Sequence, residues 1–127
     1  MNILGIGIDI VEIERIENIL KNKKRFLNKI FTDEEIKYFE SKKFRSETIA
    51  GNFSAKEAIS KAFGTGIKDF NFDDIEVLRD ENGKPIVKTY NNLRQMCIDY
   101  NVLEIQVSIS HSENYAVANA MVIVKEW

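Results

Sequence analysis

Glu57, Lys61 and Asp9 are the residues of this chain best suited to chemistry on a charged substrate. The run Phe53-Ser-Ala-Lys-Glu-Ala-Ile-Ser-Lys-Ala-Phe-Gly-Thr-Gly-Ile67 sets an acid between two bases, Lys56 and Lys61, and closes on a glycine turn. It reads as one helix, on which Glu57 and Lys61, four residues apart, share a face. A second carboxylate, Asp9, lies near the end of Gly5-Ile-Gly-Ile-Asp-Ile10. Magnesium typically takes one or two protein carboxylates and completes its octahedron with water and substrate phosphate oxygens. Asp9 and Glu57 would be such a pair. Lys61, one turn beyond Glu57, would stabilise negative charge that grows during phosphoryl transfer. Gly64-Thr-Gly66 offers backbone amides and close approach to an anion, although Gly-x-Gly is more often a plain helix end.

Each of these residues also has an ordinary structural reading. Asp9 would cap a helix beginning two residues later. Ser54-Ala-Lys-Glu57 fits a capping box, and Glu57 with Lys61 fits a helical ion pair of roughly 0.3–0.5 kcal/mol. A helix that begins near Ser46 weakens the cap, because Glu57 is then interior. His111 is the only histidine, and a lone histidine is more often a hydrogen-bonding structural residue than a catalyst. With no second histidine and no reactive-serine elbow, the hydrolase triads are poorly supported.

The elements that must position these residues follow from periodicity. Ile3 to Ile10 alternates as a strand, with Leu4, Ile6, Ile8 and Ile10 on one face and Ile3, Gly5, Gly7 and Asp9 on the other. The two glycines let another backbone or a ligand come close to Asp9. From Val11 the period lengthens to that of a helix whose buried side is Ile13, Ile16, Ile19 and Leu20, and Phe26 to Ile30 continues it or starts a short neighbour. Thr32-Asp-Glu-Glu35 is a capping box for a second helix. The third runs from about Ser46 to Phe63, with Ile49, Phe53, Ile59, Ala62 and Phe63 toward the core. Ile75–Leu78 and Ile86–Tyr90 flank Asn82-Gly83 as a hairpin, with Pro85 at the start of the returning strand. Asn92–Tyr100 forms a fourth helix. Two strands close the chain, the last, Tyr115–Val124, apolar on both faces as a central strand is.

The 127 residues, 44% hydrophobic and 10% aromatic, suit one domain spanning 1–127 with one ordinary core. A formal charge of -2 excludes the basic profile of a general nucleic-acid binder. The balance hides local asymmetry. Residues 15–30 carry six basic residues against Glu17, and residues 69–82 carry six acidic residues against Arg79. The basic stretch would be a solvated helix face or a dock for an acidic protein. Cys97 is the only cysteine, so no intrachain disulfide or cysteine zinc cluster forms, as in a reducing cytoplasm. No run approaches the roughly 20 apolar residues of a membrane span, and the N-terminus has no targeting pattern.

Taken together, the chain resembles the bacterial holo-acyl-carrier-protein synthases, the short trimeric class of 4'-phosphopantetheinyl transferases. The resemblance is carried, over nearly the whole chain, by Gly5-Ile-Gly-Ile-Asp-Ile10 leading to Arg15, Phe31-Thr-Asp-Glu-Glu35, Phe53-Ser-Ala-Lys-Glu-Ala58 with Lys61-Ala-Phe-Gly-Thr-Gly66, Asn82-Gly-Lys-Pro85 and Val107-Ser-Ile-Ser-His111. It implies an α+β fold, β-α-α-α-β-β-α-β-β with an antiparallel sheet, assembled as a trimer with shared active sites. The implied reaction moves the 4'-phosphopantetheine arm of coenzyme A to a serine of apo-acyl carrier protein, releasing adenosine 3',5'-bisphosphate, with Mg²⁺ and in fatty acid biosynthesis. By position, Asp9 and Glu57 would be the metal ligands and, with Lys61, the catalytic residues. Lys56, Lys61, Gly64, Gly66, Ser110 and His111 would bind coenzyme A, and Arg15, Lys24 and Arg25 the carrier protein. The acceptor of the serine proton stays open among Glu57, Asp9 and a metal-held water. Asn52 departs from the pattern, standing where related chains often have a basic residue. That puts one expected phosphate contact in doubt, with Lys42, Lys43 or Arg45 as candidates to compensate. Two rival readings are a noncatalytic coenzyme A or nucleotide-binding subunit and a magnesium-dependent phosphohydrolase.

Overall fold

The computed structural model describes residues 1–22, 24–64 and 68–125. Strand β1 (Asn2–Glu12) leads into helical chain described as α1 (Ile13–Asn22) and α2 (Lys24–Ile30) on either side of residue 23, then into α3 (Asp33–Ser41) and α4 (Ser46–Ala62). A 3₁₀ turn at Phe72–Asp74 precedes the hairpin of β2 (Ile75–Arg79) and β3 (Pro85–Thr89), and α5 (Asn91–Asp99) then leads to β4 (Val102–His111) and β5 (Tyr115–Val124). The strands form an antiparallel three-stranded sheet in the order β1-β5-β4 and a separate antiparallel pair, β2-β3. The α+β class and the central place of the last strand agree with the sequence reading.

One expectation changes. β1 does not give way to helix at Val11, because Val11 still pairs with Ala116 and Glu12 with Tyr115. Asp9 therefore lies inside a strand and caps nothing. The basic stretch is helical as read, with helix described on both sides of residue 23.

α4 runs through the middle of the molecule, and Lys61 is its one exposed residue. One side, with Ala55, Ala58 and Ile59, packs on Val107, Ala118, Ala120 and Val122 of the sheet and on Ile75 and Val77 of β2. Ile49 and Ala50 belong to a second cluster with Val11, Ile16, Phe31 and Phe39. Burial on both sides leaves polar α4 residues inside, and these are paired. The Lys56 ammonium is fully buried. It sits 2.6 Å from Glu35 Oε1 and donates to the carbonyls of Ile30 (2.8 Å), Phe72 (3.0 Å) and Ile75 (2.7 Å). Four oxygens thus surround three N–H groups.

Glu35 completes this hub. As N3 of α3 it accepts from Thr32 N while Thr32 Oγ1 accepts from Glu35 N, so the capping box is formed. Its other oxygen accepts from Val77 N (3.1 Å) and Asn52 Nδ2 (3.2 Å). Burial pushes the Glu35 carboxyl up and the Lys56 ammonium down, and each is opposed by the other's charge. Desolvation offsets much of the attraction in such a pair, while removing one partner typically costs about 3–5 kcal/mol. Its product is a fixed junction of α2, α3, α4 and β2.

Asn52 lies in the same junction, fully buried, so position 52 is no phosphate contact in this protein. Arg79 of β2 donates to Asn52 Oδ1 at 2.8 Å and stacks over Tyr38 at 5.2 Å. The cation that contacts this helical position therefore arrives from strand β2. Lys42, Lys43 and Arg45 stay exposed and do not fill it.

Candidate functional site

The site begins with two residues that have no side chain. A Cβ added at Gly5 would overlap the carbonyl oxygen of Ala62, and one at Gly7 that of Ala58. The backbone of α4 therefore lies directly on β1. The contacts step by two residues along the strand and four along the helix. These steps match in length, about 6.6 Å against about 6 Å, so the next pair in the series is Asp9 with Ser54. There the fully buried Ser54 hydroxyl is 2.9 Å from Asp9 O and 3.1 Å from Asp9 Oδ2.

Lys61 approaches from the other side. Its Nζ donates to Ile8 O at 3.0 Å and pairs with Asp9 Oδ1 at 3.3 Å. The expected Glu57–Lys61 ion pair gives way to this cross-element contact, and Ser54, deep inside α4, caps no helix. Glu57 lies between Ser54 and Lys61 on the same helix, half-buried, and among the described residues no donor hydrogen-bonds its carboxylate. Loss of solvent, then the Asp9 charge, holds the Glu57 carboxyl above its ordinary range, against the opposing charges of Lys61 and Arg15. Two carboxylates and two cations thus meet where β1, α1 and α4 converge.

Arg15, on the first turn of α1, is exposed and lines a groove of about 600 Å³ with Asn18, Ile19, Tyr115 and the end of β1. Arg25 is exposed on α2, which Lys24 begins. Gly64 follows α4 at φ +80°, its N–H donating to Lys61 O at 2.9 Å. This is the left-handed helix end that glycine accommodates best. Gly66 lies outside the described residues.

Three expected coenzyme contacts do not join the site within one chain. Lys56 is corrected to a structural role, since its ammonium is fully buried in the hub with carbonyls and Glu35 around it. Ser110 and His111 are exposed at the end of β4. Asp9 pairs with Ala118 and Ala118 with Ile109, so they stand two strand spacings, about 10 Å, away. Ser110 shares the outer sheet face with Ile10 and Val117, while His111 turns toward the α4 side, near enough to Glu47 to act on it electrostatically. Sequence reasoning missed Ser54 as a partner of Asp9. The signal was present in the i, i+3, i+7 spacing of Ser54, Glu57 and Lys61.

A close backbone-on-backbone packing of helix and strand thus brings two carboxylates and a lysine together in an α+β fold. Residues 5–120 match the family described as the 4'-phosphopantetheinyl transferase superfamily, and the chain belongs to it. Within that superfamily its relatives are holo-[acyl-carrier-protein] synthases. The one from Clostridium botulinum (strain Eklund 17B / Type B) is 52% identical over 124 residues, covering 96% of this chain and 98% of that protein. The crystal structure of the Neisseria meningitidis synthase superposes with a TM-score of 0.88 at 31% identity, covering 96% of this chain and 99% of that one. The Bacillus anthracis synthase, solved in complex with CoA (3',5'-ADP), has a TM-score of 0.81 at 40% identity, covering 97% and 98%.

The environment of Glu57 has a measurable signature. A carboxyl raised on folding binds its proton more tightly folded than unfolded, so the metal-free protein loses stability as pH rises through the raised value. With chelator present, Glu57→Gln is expected to be more stable than the parent near pH 7, and the gap should close below the ordinary value of 4.5. Urea midpoints across that range measure it. A parent at least as stable at pH 7 contradicts the desolvated, like-charged setting.

Proposed function

We propose that this protein transfers 4'-phosphopantetheine from coenzyme A to a serine hydroxyl of apo-acyl carrier protein. The supporting observation is the convergence of Asp9, Glu57 and Lys61 in a chain 52% identical to a holo-[acyl-carrier-protein] synthase. The serine oxygen forms a bond to the phosphorus attached to pantetheine, the pyrophosphate bridge breaks, and adenosine 3',5'-bisphosphate leaves while the serine proton is lost to a base.

The donor set fits magnesium. Asp9 and Glu57 supply two hard oxygens from facing elements, the number such sites take from protein. Among the described residues there is no group of three or more His, Cys, Asp and Glu side chains that would make a denser cage. Mg²⁺ bound there would neutralise and orient the pyrophosphate. Lys61, already beside Asp9, would lie against the phosphate oxygens and stabilise the leaving charge. Arg15 and Arg25, both exposed, would with Lys24 receive the acidic carrier. Gly64 and Gly66 would border the phosphates. Ser110 and His111, too far from Asp9 within one chain, would serve the nucleotide bound to a neighbouring copy.

That last role depends on assembly, and we read the protein as a homotrimer. The outer face of the three-stranded sheet supports it. Ile6, Ile8 and Ile10 are 61%, 60% and 63% exposed, beside Val117, Met121 and Ile123 on the same face. An uncovered apolar sheet face of this kind marks an interaction surface. Among the described residues no helix is long and apolar enough to cross a membrane. The reading places the reaction in the cytoplasm, supplying holo-carrier for fatty acid biosynthesis.

Incubation with coenzyme A, Mg²⁺ and apo-carrier protein should add one phosphopantetheine to the carrier, read by mass spectrometry. Glu57→Gln should abolish the gain, and Lys61→Ala should lower kcat about 100-fold, the scale of losing one charge-stabilising donor. Arg15→Ala should chiefly raise the carrier KM, more so at low salt. No mass gain across several carriers contradicts the proposal. For assembly, sedimentation equilibrium should return three chain masses, and Ile8→Lys should return one. A monomeric parent would overturn the trimer.

A further inference from the structure

Ser54 is a residue for which the proposed chemistry has no use, yet it touches the centre of the site. It belongs to a row of small α4 residues, Ala62, Ala58 and Ser54, that faces Gly5, Gly7 and Asp9 of β1 in turn. At the first two places only smallness is required. At the third the helix presents a hydroxyl, fully buried, with its one proton between Asp9 O at 2.9 Å and Asp9 Oδ2 at 3.1 Å. The carboxylate's other oxygen, Oδ1, faces Lys61 at 3.3 Å.

We propose that Ser54 is a positioning residue for Asp9, holding its carboxylate in the orientation that presents it to a divalent cation shared with Glu57. The inference rests on the metal reading given above. An aspartate side chain has two torsions to fix, and the Lys61 contact fixes one oxygen only. A solvent-exposed lysine is also an unreliable clamp once a phosphate competes for it. The Ser54 hydroxyl is different, because it sits on a rigid, buried turn of α4 and has nowhere else to donate but Asp9. A hydrogen bond to an ionised acceptor is stronger than one to a neutral carbonyl, which favours Oδ2 as the proton's partner. Residues that orient metal ligands in this way are worth about 10–100-fold in metal affinity.

The test is titration calorimetry of Mn²⁺ into the protein–coenzyme A complex, for the parent, Ser54→Ala and Asp9→Asn. Alanine is the best helix former and fills the same slot as Ala58 and Ala62, so Ser54→Ala should fold. Its thermal midpoint without metal checks that. The expected result is Mn²⁺ affinity at least about tenfold weaker in Ser54→Ala, with metal-free coenzyme A affinity and the thermal midpoint close to the parent's. Unchanged Mn²⁺ affinity would overturn the proposal and assign the hydroxyl to the Asp9 carbonyl. Equal weakening of Mn²⁺ and metal-free coenzyme A binding would overturn it too, as a general disturbance. If Asp9→Asn itself binds Mn²⁺ like the parent, the metal reading fails, and the proposal with it.

Discussion

Everything at the site depends on the backbone of α4 touching the backbone of β1. Gly5 and Gly7 leave room for the carbonyls of Ala62 and Ala58 and for nothing larger. Glycine inside a strand is destabilising by roughly 0.5–1 kcal/mol, so this closeness has a thermodynamic cost. Its return is registration. Two strand residues and four helical residues cover nearly the same length, and the contacts therefore repeat without drift until they reach Asp9. Any larger residue would part the two elements and separate Asp9 from Ser54, Glu57 and Lys61 together.

The far side of α4 is held by a different force. Lys56 and Glu35 form a buried pair saturated by carbonyls and an N–H group from α2, the 3₁₀ turn and β2. Consecutive helical residues point about 100° apart, so the Lys56-Glu57 pair divides its labour. Lys56 anchors the helix inward, and Glu57 faces the site with no hydrogen-bond donor among the described residues. A helix fixed by packing on one side and an ion-pair hub on the other makes a stiff platform for a carboxylate that is unfavourable to hold charged.

The sequence carried much of this. Alternation with two glycines before an aspartate located β1 and foretold a close approach. The Thr32–Glu35 capping box appeared as read, and Asn82-Gly83 turned the hairpin with Gly83 at φ +82°. What stayed illegible was which lysine faces where. Lys56 and Lys61 look equally cationic in a string, and only the burial of α4 on nearly all sides sends one inward and one out. Asn52 looked like a lost phosphate contact because its partners, Glu35, Val77 and Arg79, are remote in sequence. Ser54 looked like a cap because the pattern Ser-x-x-Glu is the same whether it begins a helix or sits within one. Strand length was underestimated because Val11 and Glu12 owe their conformation to Ala116 and Tyr115, about a hundred residues on.

These observations describe one design, a strand stripped bare so that a buried helix can present a carboxylate, a hydroxyl and a lysine to an aspartate across it. The most direct test is the turnover of Gly7→Ala in phosphopantetheine transfer, measured alongside its far-ultraviolet circular dichroism. Displacing α4 from β1 by about 1 Å is enough to cost about 100-fold in rate. The account predicts a loss of that order in a variant that keeps its secondary structure. Turnover equal to the parent's would show that the contact between the two backbones does not set the site.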